Sequence, residues 1–184
     1  MTDPLGQSLL RLARNAVIDE LNRLPHHASF DISGGSPPTP AECAGAFVTL
    51  HHRDRLRGCM GTFQPEHTLA DTVYRVARLA CRDPRFVRDP VRADELADLT
   101  IEVSVLSPLQ PAEHPERLEI GKHGIVVRRG DASGCFLPKV AVERGWSAEE
   151  FLNQCCTMKA GLNPAAWKQP GTTVSWFTAE TYSE

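Results

Sequence analysis

Apolar positions along the first third of the chain repeat at helical spacing. Leu5, Leu9, Leu12, Ala13, Ala16, Val17, Leu21 and Leu24 form one stripe, predicting a packing helix from Leu5 to Leu24. Asp3 can cap it, with Pro4 in the first turn. The period then breaks in SFDISGGSPPTPAE (29–42), whose prolines and glycines predict a loop. From residue 46 the period is two: Ala46, Val48 and Leu50 alternate with Phe47, Thr49 and His51. A return run, RLRGCMGTF, follows a turn near Arg53 and Asp54, so the segment predicts a β-hairpin.

A second helix is predicted from Leu69, Ala70, Val73, Val76, Ala77 and Ala80, ending before Pro84. RADEL reads as a short helical turn. Ile101, Val103 and Val105 alternate with Glu102 and Ser104, which predicts a strand. A further hairpin, from IGKHGIVV through GCFLPKVAVERGW, turns within RGDASG. Ser147 and Glu150 form a capping box for a helix running to Lys159, with Gly161 as its stop. TTVSWFTAETY alternates as one final strand. Helices and antiparallel hairpins mix without βαβ alternation, so the fold class is α+β, a mixed or antiparallel sheet packed by helices.

Length and composition narrow the picture. The 184 residues suit one domain, and 41% hydrophobic content suffices for a sizeable core. A net charge of -3 gives no pull toward nucleic acid or an anionic membrane. Charged residues break the N-terminal apolar pattern, so neither a signal peptide nor a membrane span is expected, and the expected compartment is the cytoplasm. The six cysteines, at 43, 59, 81, 135, 155 and 156, include no C-x-x-C pair and read as reduced thiols. No metal site is expected, and no cofactor is indicated.

The chemistry concentrates in LRGCMGTF (56–63). On a regular strand Arg57, Cys59 and Gly61 share one face, and Leu56, Gly58 and Met60 the other. A guanidinium beside a thiol favours the thiolate, and glycines let a ligand or another strand approach closely. Cys59 is the candidate nucleophile, with Arg57, Gly58 and Gly61 as candidate ligand-binding positions. The plainer reading makes Cys59 a small apolar filler. A thiol catalyst needs a base and an orienting group. His123, between Gly121 and Gly124, and Glu102, opposite the β-branched face of its strand, are the candidates.

LRGCMGTF is similar to the L-R-G-C-I-G signature of the AMMECR family. DPRF (83–86), IEVSVLSP (101–108), GKHGIVV (121–127), FLPKVAVERGW (136–146) and KAGL (159–162) match in the same order. The chain looks like the stand-alone prokaryotic form, AmmeMemoRadiSam system protein A. Met60 stands where isoleucine is usual and Lys139 where glutamine is common, while Arg57, Gly58, Cys59 and Gly61 are unchanged. The resemblance implies a larger and a smaller lobe with the signature near a cleft. It also implies a Memo-like protein and a radical SAM protein as partners, and it supplies no reaction. Two readings follow: an enzyme-like component using Cys59, or a non-catalytic module that presents the motif as a recognition surface; a third, in which Cys59 and His123 help bind a metal, ranks last because it lacks a spaced ligand set.

Overall fold

The computed structural model describes residues 3–25, 45–63 and 68–184. The predicted loop at 29–42 and Cys43 lie outside them. Two bodies make up the chain: residues 1–106 with 180–184, and residues 107–179.

The first body holds α1 (Pro4–Leu21), β1 (Gly45–His52), β2 (Arg55–Thr62), α2 (Leu69–Cys81) and β3 (Leu99–Leu106). Asp3 caps α1 by accepting from the Leu5 and Gly6 N–H groups. Thr68 and Asp71 form a capping box for α2. β1 and β2 are joined at Arg53 and Asp54, and Arg53 takes the left-handed conformation at φ 55°. The sheet order is β2-β1-β3-β8, with β8 the strand Ala179–Ser183, and it is antiparallel where β1 pairs with β2 and β3. Ala46, Val48, Leu50, Ile101 and Val103 form its apolar face. They pack with Leu9, Ala13 and Val17 of α1 and Val73, Tyr74 and Ala77 of α2, all fully buried. Burying each large side chain contributes roughly 1.5–3 kcal/mol, which fixes the helices against that face.

The second body has β4 (Gln110–Pro111), β5 (Gly124–Arg129), β6 (Ala132–Phe136), α3 (Pro138–Arg144), α4 (Ala148–Gln154) and β7 (Thr173–Phe177). Its antiparallel sheet has the order β4-β7-β5-β6. Ile125 and Val127 pack against Phe151, Leu152, Cys155 and Cys156. The ends of this body are tied together, Ser107 N–H to Thr178 O and Thr178 N–H to Ser107 Oγ, each at 2.9 Å.

Three expectations need correction. FLPKVAVERGW does not continue a strand: β6 stops at Phe136 and α3 begins at Pro138, ending at Gly145, which is left-handed at φ 65°. The helix expected to reach Lys159 is α-helical only to Gln154 and continues as a wider π turn, Cys155–Lys159. The single final strand is two, β7 and β8 (Ala179–Ser183), which belong to different sheets. Mixed helices and two antiparallel sheets make the fold α+β. Among the described residues no helix is long and apolar enough to cross a membrane.

Candidate functional site

The β2 motif contains a bulge. Leu50 pairs with Gly58, but His51 pairs with Leu56, so Arg57 is an extra residue on its strand. The two-residue alternation is broken there. Cys59 and Gly61 do share a face, opposite Thr49 and Phe47, and Gly58 and Met60 share the helix-covered one. Arg57 does not accompany Cys59, and Leu56 lies opposite His51.

Arg57 is 2% exposed, and protein groups use all five of its donors. Nε and Nη2 donate to the two Glu95 oxygens at 2.9 and 2.8 Å. Nη1 donates to the Asp89 carboxylate and carbonyl at 3.0 and 3.1 Å, and Nη2 also to Pro90 O at 3.0 Å. This bidentate, charge-assisted set pins the segment after α2 to the bulge. The Glu95 bond holds the guanidinium pKa above its ordinary value against the opposing effect of burial.

The glycines are consumed by packing as well. A Cβ on Gly58 would lie 2.0 Å from Ala80 O, at the end of α2. A Cβ on Gly61 would lie 2.3 Å from the Phe47 ring. Both approaches are possible only without a side chain.

Cys59 is half-buried and differently placed. Thr49 lies between it and Glu102 across three strands: Thr49 pairs with Cys59 on β2 and with Glu102 on β3. Directly opposed residues share a sheet face, so the three side chains form one cross-strand row. Thr49 is 5% exposed, and its hydroxyl donates to Cys59 Sγ at 3.3 Å. Glu102 is half-buried. His51 is also half-buried and lies on this face of β1, two residues beyond Thr49.

A clamp holds the Cys59 backbone. Asp83, 3% exposed, accepts the Cys59 N–H at 2.9 Å. Its other oxygen caps the 3-10 turn Pro84–Phe86 by accepting the Arg85 N–H at 3.0 Å. Arg85 Nη2 donates to Asp83 at 2.5 Å and to Cys59 O at 3.2 Å. Burial pushes the Asp83 carboxyl up, but bonds from Arg85 and the Cys59 N–H outweigh it and leave the pKa below its ordinary value. The guanidinium beside Cys59 is therefore Arg85, not Arg57. Sequence reasoning missed Thr49, Asp83 and Arg85 as site residues. The available signal was the D-P-R spacing, a capping aspartate before proline with an arginine two residues on.

His123 belongs to the second body. It stacks on Trp176 with ring centroids 5.0 Å apart, and its Nδ1 accepts the Glu119 N–H at 3.0 Å. That acceptor role requires Nδ1 without a proton. Burial lowers its pKa, and Lys122 adds to this against the opposing pull of Glu119. The structure thus unites Cys59 with Glu102 and puts His123 on other elements. Among the described residues no group of three or more His, Cys, Asp and Glu side chains could hold a metal ion.

Of the other described thiols, Cys135 is half-buried like Cys59, and the remaining three are buried. Burial pushes Cys81 up to about 12 and raises Cys155 and Cys156.

Comparison with known proteins places these residues in a wider set. A family model described as AMMECR1 matches residues 10–182. A protein of Thermococcus gammatolerans is 42% identical over 193 residues, covering 99% of this chain and 91% of that one. Protein MK0488 of Methanopyrus kandleri is 42% identical, covering 97% of this chain and 88% of its own. The crystal structure of uncharacterized protein PH0010 from Pyrococcus horikoshii shares 37% identity. It superposes with a TM-score of 0.87 over 100% of this chain and 93% of that one.

Proposed function

From the premise that the chain belongs to the AMMECR1 family, we propose that it is an enzyme-like component acting through the Cys59 thiol, in the cytoplasm, with a Memo-like and a radical SAM protein. One observation carries the reading. Within the motif, packing accounts for Arg57, Gly58 and Gly61, whereas the Cys59 sulfur meets a hydroxyl donor in a row that ends on a carboxylate.

The chemistry follows from that row. The Thr49 hydroxyl bond fixes where the Cys59 sulfur sits on that face. The Asp83–Arg85 clamp holds both the N–H and the C=O of Cys59, which orients the sulfur. Glu102 and His51 are the acid–base groups of the same face, and His123 is the candidate of the second body. The alternative, a module whose glycines form a recognition surface, has less support, because Gly58 and Gly61 lie beneath the chain's own atoms.

Iodoacetamide labelling at pH 8, mapped by mass spectrometry, tests the thiol. Cys59 is expected to react well before Cys81, Cys155 and Cys156, which burial holds protonated. Cys59→Ser is expected to keep the fold and abolish metabolite consumption by the mixture with both partners. Labelling of Cys59 only on unfolding, together with full activity of the serine variant, overturns the reading.

A further inference from the structure

The groups around Cys59 restrict the kind of electrophile that its thiol can attack. In acyl transfer, the nucleophile's own N–H is a common donor of the oxyanion hole. Here that N–H is spent on Asp83 at 2.9 Å. The Cys59 carbonyl is held as well, by Arg85 Nη2 at 3.2 Å. The residue has no backbone donor left for a tetrahedral carbon centre.

A hydroxyl and a guanidinium remain. Thr49 is 5% exposed, and its hydroxyl donates to Cys59 Sγ at 3.3 Å. Among the described residues no group donates to the lone pairs of that oxygen. The Arg85 side chain is 49% exposed. Its Nε and Nη2 are used on Asp83 and the Cys59 carbonyl, and among the described residues no acceptor is bonded to Nη1. The Asp83 bond raises the Arg85 pKa most, against the effect of burial, and the Cys59 side chain adds to it by charge and by a bond. The guanidinium therefore lies within reach of the sulfur.

Deepening the Cys59 reading on which it rests, we propose that this thiol reduces hydrogen peroxide and small organic hydroperoxides. The sulfur attacks the terminal peroxide oxygen, and the S–O bond forms as the O–O bond breaks. Thr49 Oγ1 accepts the O–H of the attacked oxygen. Arg85 Nη1 donates to the departing oxygen, where negative charge develops. That oxygen takes up the thiol proton and leaves as water or an alcohol. The sulfur loses two electrons and becomes a sulfenic acid. Cys81, the other described thiol of the first body, is buried in the helix-covered core, so a small-molecule thiol completes the cycle. It condenses with the sulfenic acid to a mixed disulfide, releasing water, and a second thiol restores Cys59 and leaves as the disulfide. The burial of Thr49 suits a small substrate rather than a bulky acyl group.

The test treats the reduced full chain with hydrogen peroxide, traps sulfenic acid with dimedone and maps it by mass spectrometry, with iodoacetamide rates measured in parallel. Iodide departs without a donor, whereas a peroxide oxygen needs one, so the ratio of the two rates isolates help to the departing oxygen. Cys59 is expected to be oxidised at least about tenfold faster than half-buried Cys135. Thr49→Val and Arg85→Gln should each lower the peroxide rate at Cys59 roughly a hundredfold more than its iodoacetamide rate. Thr49→Val keeps the side-chain shape, so it carries the test even where loss of the Arg85 clamp unfolds the chain. Equal falls in both rates give these residues a structural role only and overturn the proposal. Ready alkylation of Cys59 without a dimedone adduct overturns it too, and leaves the thiol reading standing. Resistance of Cys59 to both reagents until unfolding removes both.

Discussion

Two glycines three residues apart in β2 face different neighbours, and the difference predicts different tolerance. The atom that a Gly58 Cβ would strike is a backbone carbonyl of Ala80, held in place by α2. The atoms that a Gly61 Cβ would strike belong to the Phe47 ring, Cγ nearest, and that side chain can move by a change at χ1. Gly58→Ala is expected to cost roughly 1–3 kcal/mol as an overpacked site, and Gly61→Ala less. Urea midpoints of the two variants check the order. The same stretch shows what single residues reveal in sequence. The facing of Cys59 and Gly61 follows from alternation and holds. The pairing of Arg57 with Cys59 does not, because a bulge adds one residue to the count and nothing in the order of letters marks which residue it adds. Thr49 was legible as a strand residue, but its place between a thiol and a carboxylate depends on a register spanning three strands.

At the scale of elements, the signals written in local chemistry are the ones that hold. Ser147 receives the Glu150 N–H, and Glu150 in turn accepts the Ser147 N–H and hydroxyl, both at 2.8 Å. Ser147→Ala is expected to cost about 0.5–2 kcal/mol, read as a shift of the denaturation midpoint, with labelling of Cys59 unchanged. The start of α1 and the end of α2 follow from Asp3–Pro4 and Pro84 in the same way, whereas α1 stops at Leu21, short of the Leu24 that the apolar stripe predicts. α3 was missed although a proline opens it and a glycine closes it, because seven residues are too few for the apolar period to show. β7 and β8 merge in sequence since both alternate with period two. Which sheet a strand joins is decided by distant pairing, Thr173–Phe177 against β5 and Ala179–Ser183 beside β3.

At the scale of the whole molecule, buried charge sets the acid limit of stability. Burial raises the Glu95 carboxyl, but the Arg57 bond and the Arg92 N–H pull it below its ordinary value, as Arg85 does for Asp83. Unfolded, these groups bind protons near their ordinary values of 4.5 and 3.8; folded, they resist until lower pH. Their stabilisation is therefore complete above those values and drains away as pH falls through the folded ones. Thermal midpoints measured from pH 7 to 3 are expected to hold and then drop, and Asp83→Asn should make that drop shallower. An equally steep fall in the variant would place the acid sensitivity elsewhere.

The bulge also carries a genetic consequence. Because Leu50 pairs with Gly58 and His51 with Leu56, the ladder is already regular on both sides of the extra residue. Excising codon 57 in frame would leave an uninterrupted hairpin in which every remaining β2 residue keeps its partner. Such a deletion is expected to retain the Cys59–Thr49 register while leaving Asp89 only its Arg55 pair and Glu95 only its local bonds to the Arg92 N–H and His52, so amide exchange should quicken across residues 88–96 and not along β1. A substitution at the same position, such as Arg57→Met, would keep the extra residue and forfeit only its bonds. Position 57 is thus an insertion held in place by what its side chain grips, and the hairpin would be whole without it.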